Sequence, residues 1–124
     1  MRHTAKTTAT VSSIAVILST LTFSLPAISI AEEASVIAQG KALAFDRKKG
    51  NCLACHQIEG GSLPGNIGPP LVAMKARFPE KAKLQSQIWD SRQNNPKTIM
   101  PPFGPHEVLS KAEIEKVVEY IYSL

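Results

Sequence analysis

A chain of 124 residues with a formal charge of +4 can build one small domain and no more. Two of its positive charges, Arg2 and Lys6, sit at the very start; the remainder stands near +2, too little to signal a nucleic-acid partner. Two cysteines exclude a disulfide-rich scaffold, and neither an internal repeat nor a charged tail interrupts the chain.

The N-terminus reads as a secretory signal peptide. Arg2, His3 and Lys6 make a positive start, and residues 7–31 carry no charge at all. The apolar stretch is densest over residues 11–25, Pro26 breaks it, and Ser29-Ile30-Ala31 places small residues at the −3 and −1 positions of a cleavage site. Cleavage is expected after Ala31, so that residues 1–31 leave and residues 32–124 form the mature domain, with no membrane span after cleavage. The competing reading is an uncleaved membrane anchor, since the segment is close to spanning length.

The first helix of the mature chain is expected over residues 35–48, with Val36, Gly40, Leu43, Ala44 and Arg47 at helical spacing. Glu32 and Glu33 suit its start, and Lys48-Lys49-Gly50 its end. Gly40 inside a helix carries a cost that close packing against another helix would justify.

Cys52-Leu53-Ala54-Cys55-His56 follows and reads as a site of covalent haem c attachment. Two thiols three positions apart can each add to one of the two vinyl groups on adjacent pyrroles of the macrocycle, and the histidine directly after the second is held under the iron as proximal ligand. A thioredoxin-like pair would need a βαβ pattern nearby, and none is visible. A zinc site would need more ligands, but there is no third cysteine and the other histidines are His3 and His106 alone. Export fits the motif, because this attachment takes place outside the cytoplasm, which places the protein in the periplasm. Both cysteines are then committed to one haem.

A dozen residues later, Gly68-Pro69-Pro70-Leu71 forms a rigid turn. A metal-bound imidazole usually donates its other ring N–H to a fixed acceptor, and the Pro69 carbonyl is the candidate acceptor for His56; the alternative is an ordinary turn before a helix. Leu71, Met74 and Phe78 recur at helical spacing up to Pro79, and a further helix is expected over residues 80–91 with Leu84 and Ile88 four apart. Ser110-Lys111-Ala112-Glu113 is a capping box, and Ile114, Val117, Val118 and Ile121 give the last helix one apolar face. No run alternates as a strand does, so the class is all-α.

A second iron ligand has few candidates. Met100 lies in the proline-rich stretch Ile99-Met100-Pro101-Pro102-Phe103-Gly104, where fixed φ angles can hold a thioether in place. Met74 competes but lies on an apolar stripe suited to core packing; His106 competes but precedes the last helix. With His56 and Met100 filling both axial positions, the potential is raised and substrate is kept from the iron, which points to one-electron transfer. No nucleophile–base–orienter set is present, so no catalytic residue is assigned to this chain.

The haem motif, Gly-Pro-x-Leu, a Met-Pro loop and a C-terminal amphipathic helix together resemble class I cytochrome c over essentially the whole mature chain. More narrowly, residues 44–56 (Ala-Phe-Asp-Arg-Lys-Lys-Gly-Asn leading into the haem motif), residues 65–71 (Gly-Asn-Ile-Gly-Pro-Pro-Leu) and Met100-Pro101-Pro102-Phe103-Gly104 resemble the SoxX family, the monohaem subunits of periplasmic SoxAX cytochromes. Ala44 stands where many class I members have an aromatic, and Phe45 comes next. The resemblance implies a class I cytochrome c-like fold around one covalent haem, held by Cys52, Cys55, His56 and Met100. It further implies a non-catalytic, electron-accepting subunit of a heterodimeric L-cysteine S-thiosulfotransferase. Its partner is then a SoxA-like dihaem or monohaem cytochrome carrying the active-site cysteine. The complex conjugates thiosulfate to a cysteine of the SoxY carrier protein, and a soluble cytochrome c takes the electrons. The alternative is a free, diffusible class I cytochrome c shuttle.

Overall fold

The computed structural model describes residues 27–124, so most of the expected leader lies outside the described residues. Every regular element among them is helical: α1 (Ala27–Phe45), α2 (Met74–Arg77), α3 (Lys81–Trp89) and α4 (Lys111–Tyr122), with 3-10 turns at Cys52–Ala54 and Ser91–Gln93. The all-α class expected from the sequence holds. None of these helices is long and apolar enough to cross a membrane.

Helix α1 begins earlier and ends sooner than residues 35–48. Its first turns, Ala-Ile-Ser-Ile-Ala-Glu-Glu-Ala, contain neither glycine nor proline, so nothing interrupts the helix there. Glu32 and Glu33 therefore lie within the helix instead of marking its start. Its end is set by Asp46, whose Oδ1 accepts from the Lys48 N–H at 2.8 Å, an Asx turn that competes with the helical ladder. The chain then doubles back, and Gly50 N–H donates to the Leu43 carbonyl at 3.1 Å.

The stripe Leu71, Met74 and Phe78 yields only the short helix α2. Proline disfavours helix in the residue before it, and the Leu71 N–H is taken by the Gln57 carbonyl at 2.9 Å, so Leu71 is tied to the chain just after the haem motif. Ala73 adopts a left-handed conformation (φ 50°) immediately before the helix. Helix α3 buries Leu84 and Ile88 as expected.

Helix α4 carries the capping box in full: Ser110 N–H donates to Glu113 Oε2 at 2.8 Å, and Glu113 N–H to Ser110 Oγ at 3.3 Å. Ile114, Val117, Val118 and Ile121 are buried. Tyr120 is buried as well, on a different side, where its ring meets Phe45 edge-on at 6.1 Å; Phe45 thus supplies the aromatic contact between the terminal helices.

The two terminal helices cross where Gly40 is buried against α4. A Cβ on Gly40 would strike the Lys116 carbonyl and lie 2.9 Å from Tyr120 Cβ. The glycine expected to mark a helix contact is that contact. Helix α4 is held elsewhere by Lys49–Glu113 (2.9 Å) and Lys81–Glu119 (2.8 Å) ion pairs.

Two outcomes follow from this frame. Gly40→Ala would stabilise an isolated helix by about 1 kcal/mol; here the added methyl meets backbone, and overpacking of about 1–3 kcal/mol should win, lowering the urea midpoint. A raised midpoint would show that the helices do not approach at Gly40. The second concerns acid. The Ser110 N–H and the Lys49 ammonium lower the Glu113 pKa from 4.5 to about 2. A carboxyl depressed in the folded state contributes stability that is complete above the unfolded value and lost as pH falls through the folded one. The Tm advantage of the wild type over Glu113→Gln should therefore shrink steadily between about pH 4.5 and about pH 2. A pH-independent difference would assign the effect to packing.

Candidate haem-binding cleft

Asn51 takes a left-handed conformation (φ 47°) and caps the 3-10 turn Cys52–Ala54, a geometry asparagine tolerates. The turn is closed by Ala54 N–H to Asn51 O at 3.0 Å and His56 N–H to Cys52 O at 2.9 Å. The following loop is laid back on it, with Gly65 N–H on the Leu53 carbonyl and Gly68 N–H on the Cys55 carbonyl, each at 2.8 Å. The haem motif is thus a rigid backbone unit before any side chain is considered.

His56 Nδ1 lies 2.7 Å from the Pro69 carbonyl oxygen. A carbonyl can only accept, so Nδ1 is the donor in this pair and Nε2 is the ring nitrogen not engaged by it. Gly68 lies against the imidazole, and a Cβ there would collide with three atoms of the ring. The sequence reading took Gly68 as part of a turn; its closer role is to leave room for the histidine plane.

Cys52, Cys55, His56, Pro69 and Met100 all line one cleft of about 640 Å³, within the roughly 300–1,000 Å³ usual for cofactor pockets. Its walls include Leu71, Leu84, Ile88, Phe103, Leu109, Val117 and Ile121, all buried. An apolar, open-sided cradle with two thiols, a free imidazole nitrogen and a thioether on its surface fits a haem. Among the described residues no three His, Cys, Asp or Glu side chains gather to hold a bare metal ion.

The two cysteines are free thiols. Burial, reinforced by neighbouring Cys55, pushes the Cys52 thiol up to about 11. Reactive Cys-x-x-Cys redox pairs have their nucleophilic thiol lowered, so the direction here opposes the thioredoxin-like reading.

The three candidates for a second ligand separate by position. His106 is exposed and does not line the cleft. Met74 lines it but is only 2% exposed, and its Sδ lies 3.5 Å from the Arg77 guanidinium, which also donates to the Pro70 carbonyl at 2.7 Å. Met100 lines the cleft half-buried. Its N–H donates to Thr98 Oγ1 at 3.2 Å, its carbonyl accepts from Ser91 Oγ at 3.0 Å, and Gln87 Nε2 lies 3.8 Å from its sulfur. The loop beyond is pinned by Gly104, whose N–H donates to the Trp89 carbonyl at 3.0 Å and whose missing side chain leaves room for the Trp89 ring. Gln87, Ser91 and Thr98 went unnoticed in the sequence. The available signal was Gln87 itself, a polar residue three positions from Leu84 and one from Ile88 on the buried stripe of α3.

Gly68→Ala should tilt the imidazole and weaken its hold on the Pro69 carbonyl. In purified holoprotein the variant is expected to show a changed ferric spectrum and partial loss of haem content, whereas unaltered spectra would mean that the ring has space the geometry denies it.

Residues 36–121 match the family described as Cytochrome C oxidase, cbb3-type, subunit III. An uncharacterized lipoprotein of Aquifex aeolicus (strain VF5) is 33% identical over 76 residues, which is 60% of this chain and 37% of that protein; the chain thus spans little more than a third of that curated relative. In the crystal structure of SoxXA from P. pantotrophus, one chain is 26% identical, with a TM-score of 0.63 covering 69% of this chain and 79% of that one. The match brings with it haem c and electron transfer, the defining properties of a cytochrome c domain. The chain belongs to the family Cytochrome C oxidase, cbb3-type, subunit III, and is a SoxX-like cytochrome of all-α, class I architecture.

Proposed function

We propose that this chain is the electron-transfer subunit of a SoxAX-like complex in the periplasm. It would be exported by residues 1–31 and work as the mature domain of residues 32–124. Cys52 and Cys55 would hold one haem covalently, and His56 and Met100 would be the ligands of its iron. Bound there, the haem supplies reversible one-electron chemistry at iron. The observation that carries the reading is the meeting, in one cleft, of both thiols, a His56 whose Nδ1 is committed to Pro69, and the Met100 sulfur.

The chain's own residues do three things on this reading. Pro69 fixes the tautomer and basicity of His56, leaving Nε2 to face the metal. The Met100 loop would supply a soft second donor. The apolar walls exclude water, and Arg47 and Lys48 at the cleft supply cations suited to the two propionates.

The partner is a SoxA-like cytochrome that carries the active-site cysteine and conjugates thiosulfate to a cysteine of the SoxY carrier. Electrons leave to a soluble cytochrome c. Leu63 and Val72 support a lasting partner: neither lines the cleft, and they are 92% and 55% exposed, apolar surface of the kind that stable interfaces bury at their centre.

Met100→Ala is expected to lower the haem potential, abolish the long-wavelength sulfur-to-iron charge-transfer band of the ferric protein and admit carbon monoxide to the ferrous one. Survival of that band would remove Met100 from the site. The complex itself is tested by affinity purification of the tagged protein from the periplasm of thiosulfate-grown cells. A one-to-one partner bearing its own Cys-x-x-Cys-His motif is expected; a clean monomer with one haem would favour the diffusible shuttle.

A further inference from the structure

Helix α3 presents Leu84, Gln87 and Ile88 to the cleft. Their spacing puts all three on one face, and two of them are fully apolar and buried. Gln87 is half-buried beside these two and makes two hydrogen bonds. Its Oε1 accepts from Asn94 Nδ2 at 2.8 Å, and its Nε2 lies 3.8 Å from Met100 Sδ. A thioether sulfur has no hydrogen to give and accepts weakly, so the amide is the only donor in that pair. The Asn94 bond fixes which end of the amide faces the sulfur, because turning it over would put Oε1 against Sδ and break the bond to Asn94.

Every heteroatom of Met100 is therefore held: N–H by Thr98 Oγ1, the carbonyl by the fully buried Ser91, and the sulfur by Gln87. The first two contacts fix the backbone and leave the thioether free to rotate about its own side-chain bonds. Only the Gln87 contact acts on the sulfur.

We propose that Gln87, oriented by Asn94, is the positioning residue for the Met100 thioether. Its N–H occupies one region of sulfur lone-pair density, so that a single, defined face of the sulfur is left toward the cleft. Density drawn toward the amide also makes the sulfur a weaker electron donor. Because ferric iron gains more than ferrous iron from a strong donor, the contact raises the reduction potential relative to an unbonded thioether. The inference rests on the proposed role of Met100 as axial ligand.

The test uses purified holoprotein of the full mature domain, with potential titrations, the ferric charge-transfer band, and proton NMR of the Met100 ε-methyl in the ferrous state. Gln87→Leu keeps the bulk and removes the donor. It should lower the potential, shift the charge-transfer band while retaining it, and replace one ε-methyl environment with two exchanging ones. Asn94→Ala leaves Gln87 in place and removes only its anchor. It should move each readout in the same direction by a smaller amount, and it carries the test alone if Gln87→Leu does not accumulate folded. A wild type with the band, together with variants whose potential and ε-methyl signal match it, would overturn the Gln87 role and leave Met100 intact. A wild type without the band would overturn the Met100 assignment and this inference with it.

Discussion

The close approach of α1 and α4 at Gly40 is the constraint on which the rest of the molecule depends. Helix α4 has two working sides. Lys116 and Tyr120, four residues apart, meet α1 at the crossing and through Phe45. Val117 and Ile121, each one position further on and so turned by about 100°, line the cleft. The depth at which α4 sits on α1 therefore fixes the back wall of the cleft. The Lys49–Glu113 pair joins the chain leaving α1 to the first turn of α4, three residues before Cys52. An exposed pair of this kind adds little energy by itself, but it closes the short connection that delivers the haem motif to the wall α4 has set.

The segments that bring His56 and Met100 to the cleft are held by different means. On the His56 side the holding bonds run mostly between backbone groups: Gly65 to Leu53, Gly68 to Cys55, Leu71 to Gln57. The imidazole itself is oriented by a carbonyl. On the Met100 side the holding groups are side chains, those of Thr98, Ser91 and Gln87, backed by the Trp89–Gly104 contact. Backbone contacts survive most substitutions, whereas each side-chain contact is lost with one. The His56 segment is thus set by loop geometry, and the Met100 segment can be tuned residue by residue without disturbing the scaffold.

What the sequence revealed and what it concealed divide along the same line. The Gly40 contact, the capping box of α4 and the hydrogen bond between His56 and the Pro69 carbonyl all depend on short spacings or on residues with one dominant physical use, and they were legible. The extent of α1 was misjudged because Glu32 and Glu33 suit a helix start, yet nothing before them prevents an earlier one. The helix expected through Leu71 shrank to one turn because Ala73 takes a left-handed conformation (φ 50°) just before it, a backbone turn that periodicity cannot register. Gln87 and Ser91 were missed for a related reason. Their partner lies 13 and 9 residues away, across a turn whose geometry the sequence does not encode in any simple spacing. Gly68 was read as a turn residue because its second use, clearance for an imidazole, exists only once the loop has folded back.

The two methionines of the cleft show how much neighbouring groups decide. Both sulfurs are near the same apolar walls, and composition alone would not rank them. Met74 is buried in the core, its backbone N–H on the C-terminal Leu124 carbonyl at 2.9 Å and its sulfur beside the permanently charged Arg77 guanidinium. A cation held at that distance draws electron density from the sulfur and opposes a second positive centre nearby. Met100 instead has a neutral amide at its sulfur and a proline on its C-terminal side that limits the backbone. The cationic neighbour suits a packing role and the neutral one suits a donor role. On the proposed reading, burial and the charge of the group touching each thioether together favour Met100 as the ligand.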